Sequence, residues 1–144
     1  MVPPYALRVN SRLMDGGTPS AAFRILLVED EPVIRELVRS MLDDGPVSVT
    51  CAANGVEGLK LAKSEPFDLV LMDVVLPLLD GVSVCRILKR DPVTQDIPVY
   101  MLTAKTRKAD EAAALQAGAN GYIHKPFRGS ELMELVEALR AARR

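Results

Sequence analysis

Five polar residues close four short β-rich runs in this chain. Glu29 and Asp30 follow Phe23–Val28, Asp73 follows Leu69–Met72, Thr103 follows Val99–Leu102, and Lys125 follows Gly121–His124. Any one of them alone would be an ordinary cap or turn residue. Brought to one place they could do chemistry. Three grouped carboxylates repel unless protonated or bridged by a cation. Oxygen-only donors with room for water suit Mg2+, which retains several waters. Such a cation would leave one Asp73 oxygen free to attack phosphorus. A Thr103 hydroxyl and a Lys125 ammonium could hold the other phosphoryl oxygens. The chemistry of the set is that of an aspartyl phosphate.

That chemistry needs a fold that puts these run ends side by side. Leu69 to Met72 is an unbroken apolar run, bounded beyond Asp73 by Pro77 and Asp80-Gly81. Such a run suits a strand covered on both faces, as in a parallel sheet. Phe23–Val28, Val47–Cys51, Pro98–Thr103 and Gly121–His124 supply four more strands. Between them lie amphipathic helical patterns. The first starts at Pro32, with Val33, Ile34, Leu37, Val38, Met41 and Leu42 on one stripe. The second follows Asn54-Gly55, the third runs from Gly81 to Arg90, and the fourth runs from Lys105 to Ala117 with Gly118 beyond it. The last is capped by Ser130 and carries Leu132, Met133, Leu135, Val136 and Leu139. Alternating strands and helices predict a parallel sheet with helices on both faces and right-handed crossovers. The predicted class is a flavodoxin-like (βα)5 three-layer sandwich. Its strand order, 2-1-3-4-5, is adopted from that class and not from the residues. In it, Asp73 sits where open α/β sheets keep their ligand crevices.

At 144 residues, 49% of them apolar and 26% charged, the chain has the balance of one soluble domain. A net charge of −1 gives no global argument for nucleic acid or for a membrane surface. No apolar run reaches membrane-spanning length, and Cys51 and Cys85 match no metal or redox spacing. A cytoplasmic protein with reduced thiols is expected. Residues 1–22, rich in Pro and Gly without a period, are expected to be a flexible tail.

Glu29-Asp30, the Asp73-x-x-Leu-Pro-x-Leu-Asp-Gly81 pattern, Leu102-Thr103-Ala104, and Gly118-Ala-x-x-Tyr122-x-x-Lys125-Pro126-Phe127 together resemble the receiver domain of two-component response regulators. The resemblance makes residues 23–144 the receiver domain and implies a phosphorylation-dependent switch rather than an enzyme. It makes Asp73 the phosphoacceptor, with Asp30 a direct Mg2+ ligand and Glu29 a ligand through water. The Val75 carbonyl would be the third protein oxygen. Thr103 and Tyr122 match the switch pair, Lys125 the phosphate-binding lysine, and Pro126 a proline after a cis bond. The implied partners are a sensor histidine kinase or histidine phosphotransfer protein upstream, and an effector protein or a separate output domain downstream. The protein is expected to be a monomer or a weak phosphorylation-dependent dimer.

Other classes fit less well. A carrier of flavin mononucleotide would need a phosphate-cradling loop where Glu29-Asp30-Glu31 stands. An aspartate-nucleophile phosphatase would place a second Asp two residues after the first, where this chain has Val75. The alternative within the family is a degenerate receiver acting only as a protein-interaction module, yet every phosphorylation residue is present.

Overall fold

The computed structural model describes residues 22–104 and 106–143. The expected tail, apart from Ala22, lies outside the described residues, as does Lys105. Five strands alternate with five helices: β1 (Phe23–Val28), α1 (Pro32–Leu42), β2 (Val47–Ala52), α2 (Gly55–Ser64), β3 (Leu69–Asp73), α3 (Gly81–Arg90), β4 (Val99–Ala104), α4 (Lys108–Gln116), β5 (Gly121–Lys125) and α5 (Gly129–Ala142). The strands form one sheet in the order β2-β1-β3-β4-β5, and every pairing is parallel.

The unbroken apolar strands follow from coverage on both sides. Alternate residues of β1 and β3 go to opposite faces. Phe23, Ile25, Leu27, Leu69 and Leu71 pack with Val38 and Leu42 of α1 and Leu132 and Val136 of α5. Leu26, Val28, Val70 and Met72 pack with Ala62 of α2, Val84, Cys85 and Leu88 of α3, and Ala114 of α4. With no wet face, β3 has no polar position before its carboxyl end, and β1 has only Arg24 near its amino end, where it is half-buried and paired with Glu65.

Three helix expectations need correction. The first helix does not bury all of its apolar stripe: Val38 and Leu42 are buried, while Val33 and Leu37 face solvent. Six apolar residues cover roughly half the circumference at about 100° per residue, wider than the sheet can cover. The α4 helix begins at Lys108, with Arg107 at its N-cap. Ser130 is not the cap of α5. Arg128 holds that position, and the Glu131 carboxylate accepts its N–H at 3.1 Å. A carboxylate one turn inside the helix thus does what a serine hydroxyl was expected to do.

Two glycines let the loop after β3 close tightly. A Cβ on Gly81 would stand 2.1 Å from the Asp73 carbonyl oxygen, and one on Gly55 would stand 1.8 Å from that of Leu79. The loop therefore lies against both the end of β3 and the first turn of α2.

Candidate functional site

Glu29 follows β1 directly and is fully buried. Its Oε2 accepts the Glu31 N–H at 3.1 Å, and the Arg35 guanidinium donates to the Glu29 carbonyl at 2.7 Å. Asp73 closes β3, also buried, and its Oδ1 accepts the Val75 N–H at 3.1 Å. Lys125 closes β5, two strands away from β3. Its long stem crosses the end of β4, and its Nζ donates to Glu29 Oε1 and to Asp73 Oδ2, both at 2.8 Å. One ammonium thus ties together three strand ends that are far apart in sequence.

Asp30, exposed on the rim, completes the acidic group. Carboxylate oxygens of Glu29, Asp30 and Asp73 all lie within 4.8 Å of one another. With Lys125 as the one side-chain cation in contact with these carboxylates among the described residues, the cluster keeps a net negative charge. The electrostatics record the crowding. Burial raises the Glu29 carboxyl above its ordinary value, against the lowering effect of Lys125 and the Glu31 N–H. Burial would lower Lys125, but the hydrogen bonds it donates to Asp73 and Glu29 outweigh it and leave the ammonium raised.

Thr103 lies on β4, between β3 and β5, and is 2% exposed. Its hydroxyl donates a long 3.4 Å hydrogen bond to the Ala104 carbonyl. Tyr122 sits on β5 and is 38% exposed, with its ring centroid 5.2 Å from that of His124. His124 in turn contacts Glu111 of α4. Val75 is in the loop beyond β3, its side chain outward. The Lys125–Pro126 peptide is cis. So Glu29, Asp30, Asp73 and Lys125 come together, Thr103 is the penultimate residue of the intervening strand, and Tyr122 is on the edge strand.

Sequence reasoning did not single out Arg35. The backbone donors of Glu31 and Val75 had no signal, because every residue but proline carries an N–H. Arg35 had a faint one: it lies one turn into a helix that starts directly after the acidic loop.

Residues 25–137 match the response regulator receiver domain. The chain is 40% identical over 116 residues to the DNA-binding dual master transcriptional regulator RpaA of Synechocystis, covering 81% of this chain and 48% of that protein. It is likewise 40% identical over 116 residues to response regulator MprA of Mycobacterium avium, covering 81% and 50%. The chain therefore spans about half the length of these curated relatives. Among solved structures it resembles the receiver domain of a sensor histidine kinase from Pseudomonas aeruginosa, which has a magnesium ion coordinated in its active-site cleft. The TM-score is 0.77 at 36% identity, over 84% of this chain and 99% of that one. The chemotaxis response regulator CheY4 of Vibrio cholerae superposes with a TM-score of 0.76 at 28% identity, over 83% and 99%.

Proposed function

The chain belongs to the response regulator receiver domain family of two-component signalling, and from that membership we propose that Asp73 accepts a phosphoryl group from a histidine kinase or phosphotransfer protein in the presence of Mg2+. The observation that carries this reading is the Lys125 ammonium at 2.8 Å from both Glu29 and Asp73, inside a cluster of three carboxylates.

The donor set fits a hard divalent cation. It offers only oxygens, one residue on the exposed rim, and more negative charge than Lys125 offsets. Asp30, Asp73 and the Val75 carbonyl would hold Mg2+ directly, and Glu29 through water. When bound, it supplies neutralisation of the carboxylates and of the transferring phosphoryl group.

The Asp73 carboxylate forms the new O–P bond as the donor's N–P bond breaks, and the donor leaves as neutral imidazole. Positioning and charge complementarity do most of the work in such a transfer. The Val75 N–H orients the Asp73 carboxylate through Oδ1. Lys125 stands beside Oδ2 and donates to a phosphoryl oxygen without a large movement of its stem. The Thr103 hydroxyl, held only by a long bond, turns to donate to another. Drawing Thr103 and Lys125 to the phosphate then biases a two-state equilibrium of the β4–α4 segment, with Tyr122 as its partner. The face of α4, β5 and α5 is the readout surface for an effector or an output domain. Direct nucleic-acid contact is not part of this reading, and neither is a membrane: no helix among the described residues is long and apolar enough to cross one. The proposed location is the cytoplasm.

The test is labelling by a small acyl phosphate in Mg2+. Wild type should form an acid-stable, hydroxylamine-labile adduct and Asp73→Asn none. Labelling of the variant at the wild-type rate would remove Asp73 from the mechanism.

A further inference from the structure

Of the three clustered acids, Asp30 is the one whose side chain nothing holds. Glu29 accepts the Glu31 N–H and the Lys125 ammonium, and Asp73 accepts the Val75 N–H and the same ammonium. Asp30 is exposed, and among the described residues its carboxylate accepts no hydrogen bond and joins no ion pair. Its direction is therefore set by the two peptide planes that flank it. The plane before it carries the Glu29 carbonyl, which accepts the Arg35 guanidinium at 2.7 Å. The plane after it carries the Glu31 N–H, which donates to Glu29 Oε2 at 3.1 Å. Arg35 reaches back from the first turn of α1, where its own N–H donates to the Glu31 carbonyl at 3.1 Å. It is half-buried, and Glu29, Asp30, Glu31 and Glu36 stand near it in sequence, yet it forms no ion pair among the described residues.

We propose that Arg35 is a positioning residue for the cation site, aiming the Asp30 carboxylate through the Glu29–Asp30 peptide; the inference rests on the Mg2+ reading of the acidic cluster. A charged donor on a buried loop carbonyl makes a strong hydrogen bond, and this one fixes the plane from which the Asp30 backbone departs. It also commits the guanidinium to the backbone rather than to a carboxylate. Asp30 thus keeps its charge and its lone pairs for a cation, where an Arg35–Asp30 ion pair would compete with one. The link gives a direction to test. By charge alone, removing Arg35 would tighten cation binding, because like charges repel. By position, removing it weakens binding, because Asp30 gains directions that miss the cation and ordering it again costs entropy. The two effects are opposite in sign, so the direction of the change shows which one governs.

The experiment is a Mg2+ titration of the full chain followed by amide-resolved NMR, with circular dichroism to confirm folding. Arg35→Met keeps an apolar stem and removes the charge and the donors. It should raise the Mg2+ dissociation constant about tenfold, the low end for loss of an outer-shell group. Arg35→Lys, a charged donor on a shorter stem, should recover part of that loss. Arg39→Met, which removes an equal charge one turn further along α1, should not raise the constant. In EDTA the Asp30 amide resonance should move in Arg35→Met, because the carbonyl of its own peptide has lost a donor. A helix-stabilising role alone would lower the urea midpoint and leave both readouts in place. Should Arg35→Met not fold, Arg35→Gln, whose amide ends short of the Nη1 position, carries the same expectation. Binding by the folded variant as tight as wild type, or tighter, would overturn the proposal, and so would an unmoved Asp30 resonance. Either result, beside Mg2+ binding by wild type, would leave the Asp73 reading standing; a wild type that binds no Mg2+ would overturn both.

Discussion

Replacing Asp30 by Asn tests the charge arithmetic of the site without touching the proposed phosphoacceptor. Carboxylate oxygens of Asp30, Glu29 and Asp73 lie within 4.8 Å of one another. Lys125 offsets about one of the two neighbouring charges, so Asp30 faces roughly one uncompensated negative charge. At that distance the repulsion is about 1 kcal/mol at the dielectric of water and about 3.5 kcal/mol at an effective value near 20. Asp30 is exposed, so the lower figure applies, reduced further by salt. In EDTA the variant should therefore be more stable to urea than wild type by about 0.5 kcal/mol. Mg2+ reverses the comparison. A cation that binds only the folded chain adds about 1.4 kcal/mol at ten times its dissociation constant. Wild type should gain that increment and Asp30→Asn only a fraction of it, closing the gap. The measurement is a pair of urea titrations, in EDTA and in Mg2+, on both proteins. A variant less stable than wild type in EDTA would refute the repulsion argument, and equal stabilisation of both proteins by Mg2+ would refute the ligand assignment.

Three further perturbations probe other parts of the chain. Leu78, in the loop after β3, has a left-handed backbone at φ 70°. Leu78→Gly should stabilise the fold by about 0.5–1 kcal/mol, because relief of the left-handed strain exceeds the glycine's extra entropy in the unfolded chain; a lower urea midpoint would contradict this. Val75→Asn should shorten the lifetime of the Asp73 phosphate, since an amide beside the acceptor can orient the hydrolytic water and a valine cannot; an unchanged rate of phosphate loss would count against that role. Asp68, at the amino end of β3, has its carboxyl raised above the ordinary aspartate value of 3.8, chiefly by burial, with the Arg24 N–H and Arg143 opposing. The unfolded chain therefore releases this proton more readily than the folded one. The resulting cost is absent below 3.8, grows as pH rises toward the folded value, and is complete above it. Stability of Asp68→Asn relative to wild type should accordingly improve as pH rises through that window, and a difference that stays flat with pH would show that the burial cost is compensated.

Much of the fold was legible because of how β1 and β3 are covered. A strand buried on both faces is apolar along its covered length, so the polar residue that closes the apolar run marks its carboxyl end. That rule located Glu29, after Ile25–Val28, and Asp73, after Leu69–Met72, within one residue. Helix outer faces obey no such rule. Val33 and Leu37 have the same side-chain character as Val38 and Leu42, and only the width of the sheet decides which pair is covered. Caps fall between these cases: Ser130 and Glu131 are both competent to begin α5, and the path of the chain out of β5 selects the carboxylate.

The site was legible as an inventory and illegible as a set of pairings, and the difference has a physical cause. The sign of each charge is local, and the edge on which it falls follows from strand order. The pairing of Lys125 with Glu29 and Asp73 together depends on the register of β4 and β5, which sets the height of Lys125, and on the reach of its stem past the end of β4, properties of the whole sheet. That pairing changes the reading of the lysine. From sequence it was a group waiting for phosphate; in the structure its ammonium is already shared between two carboxylates. A phosphoryl group on Asp73 therefore does not have to draw Lys125 in from solvent. It need only compete with Glu29, a buried acid whose raised pKa shows that it holds its own charge at a cost, for an ammonium that stands beside the acceptor oxygen.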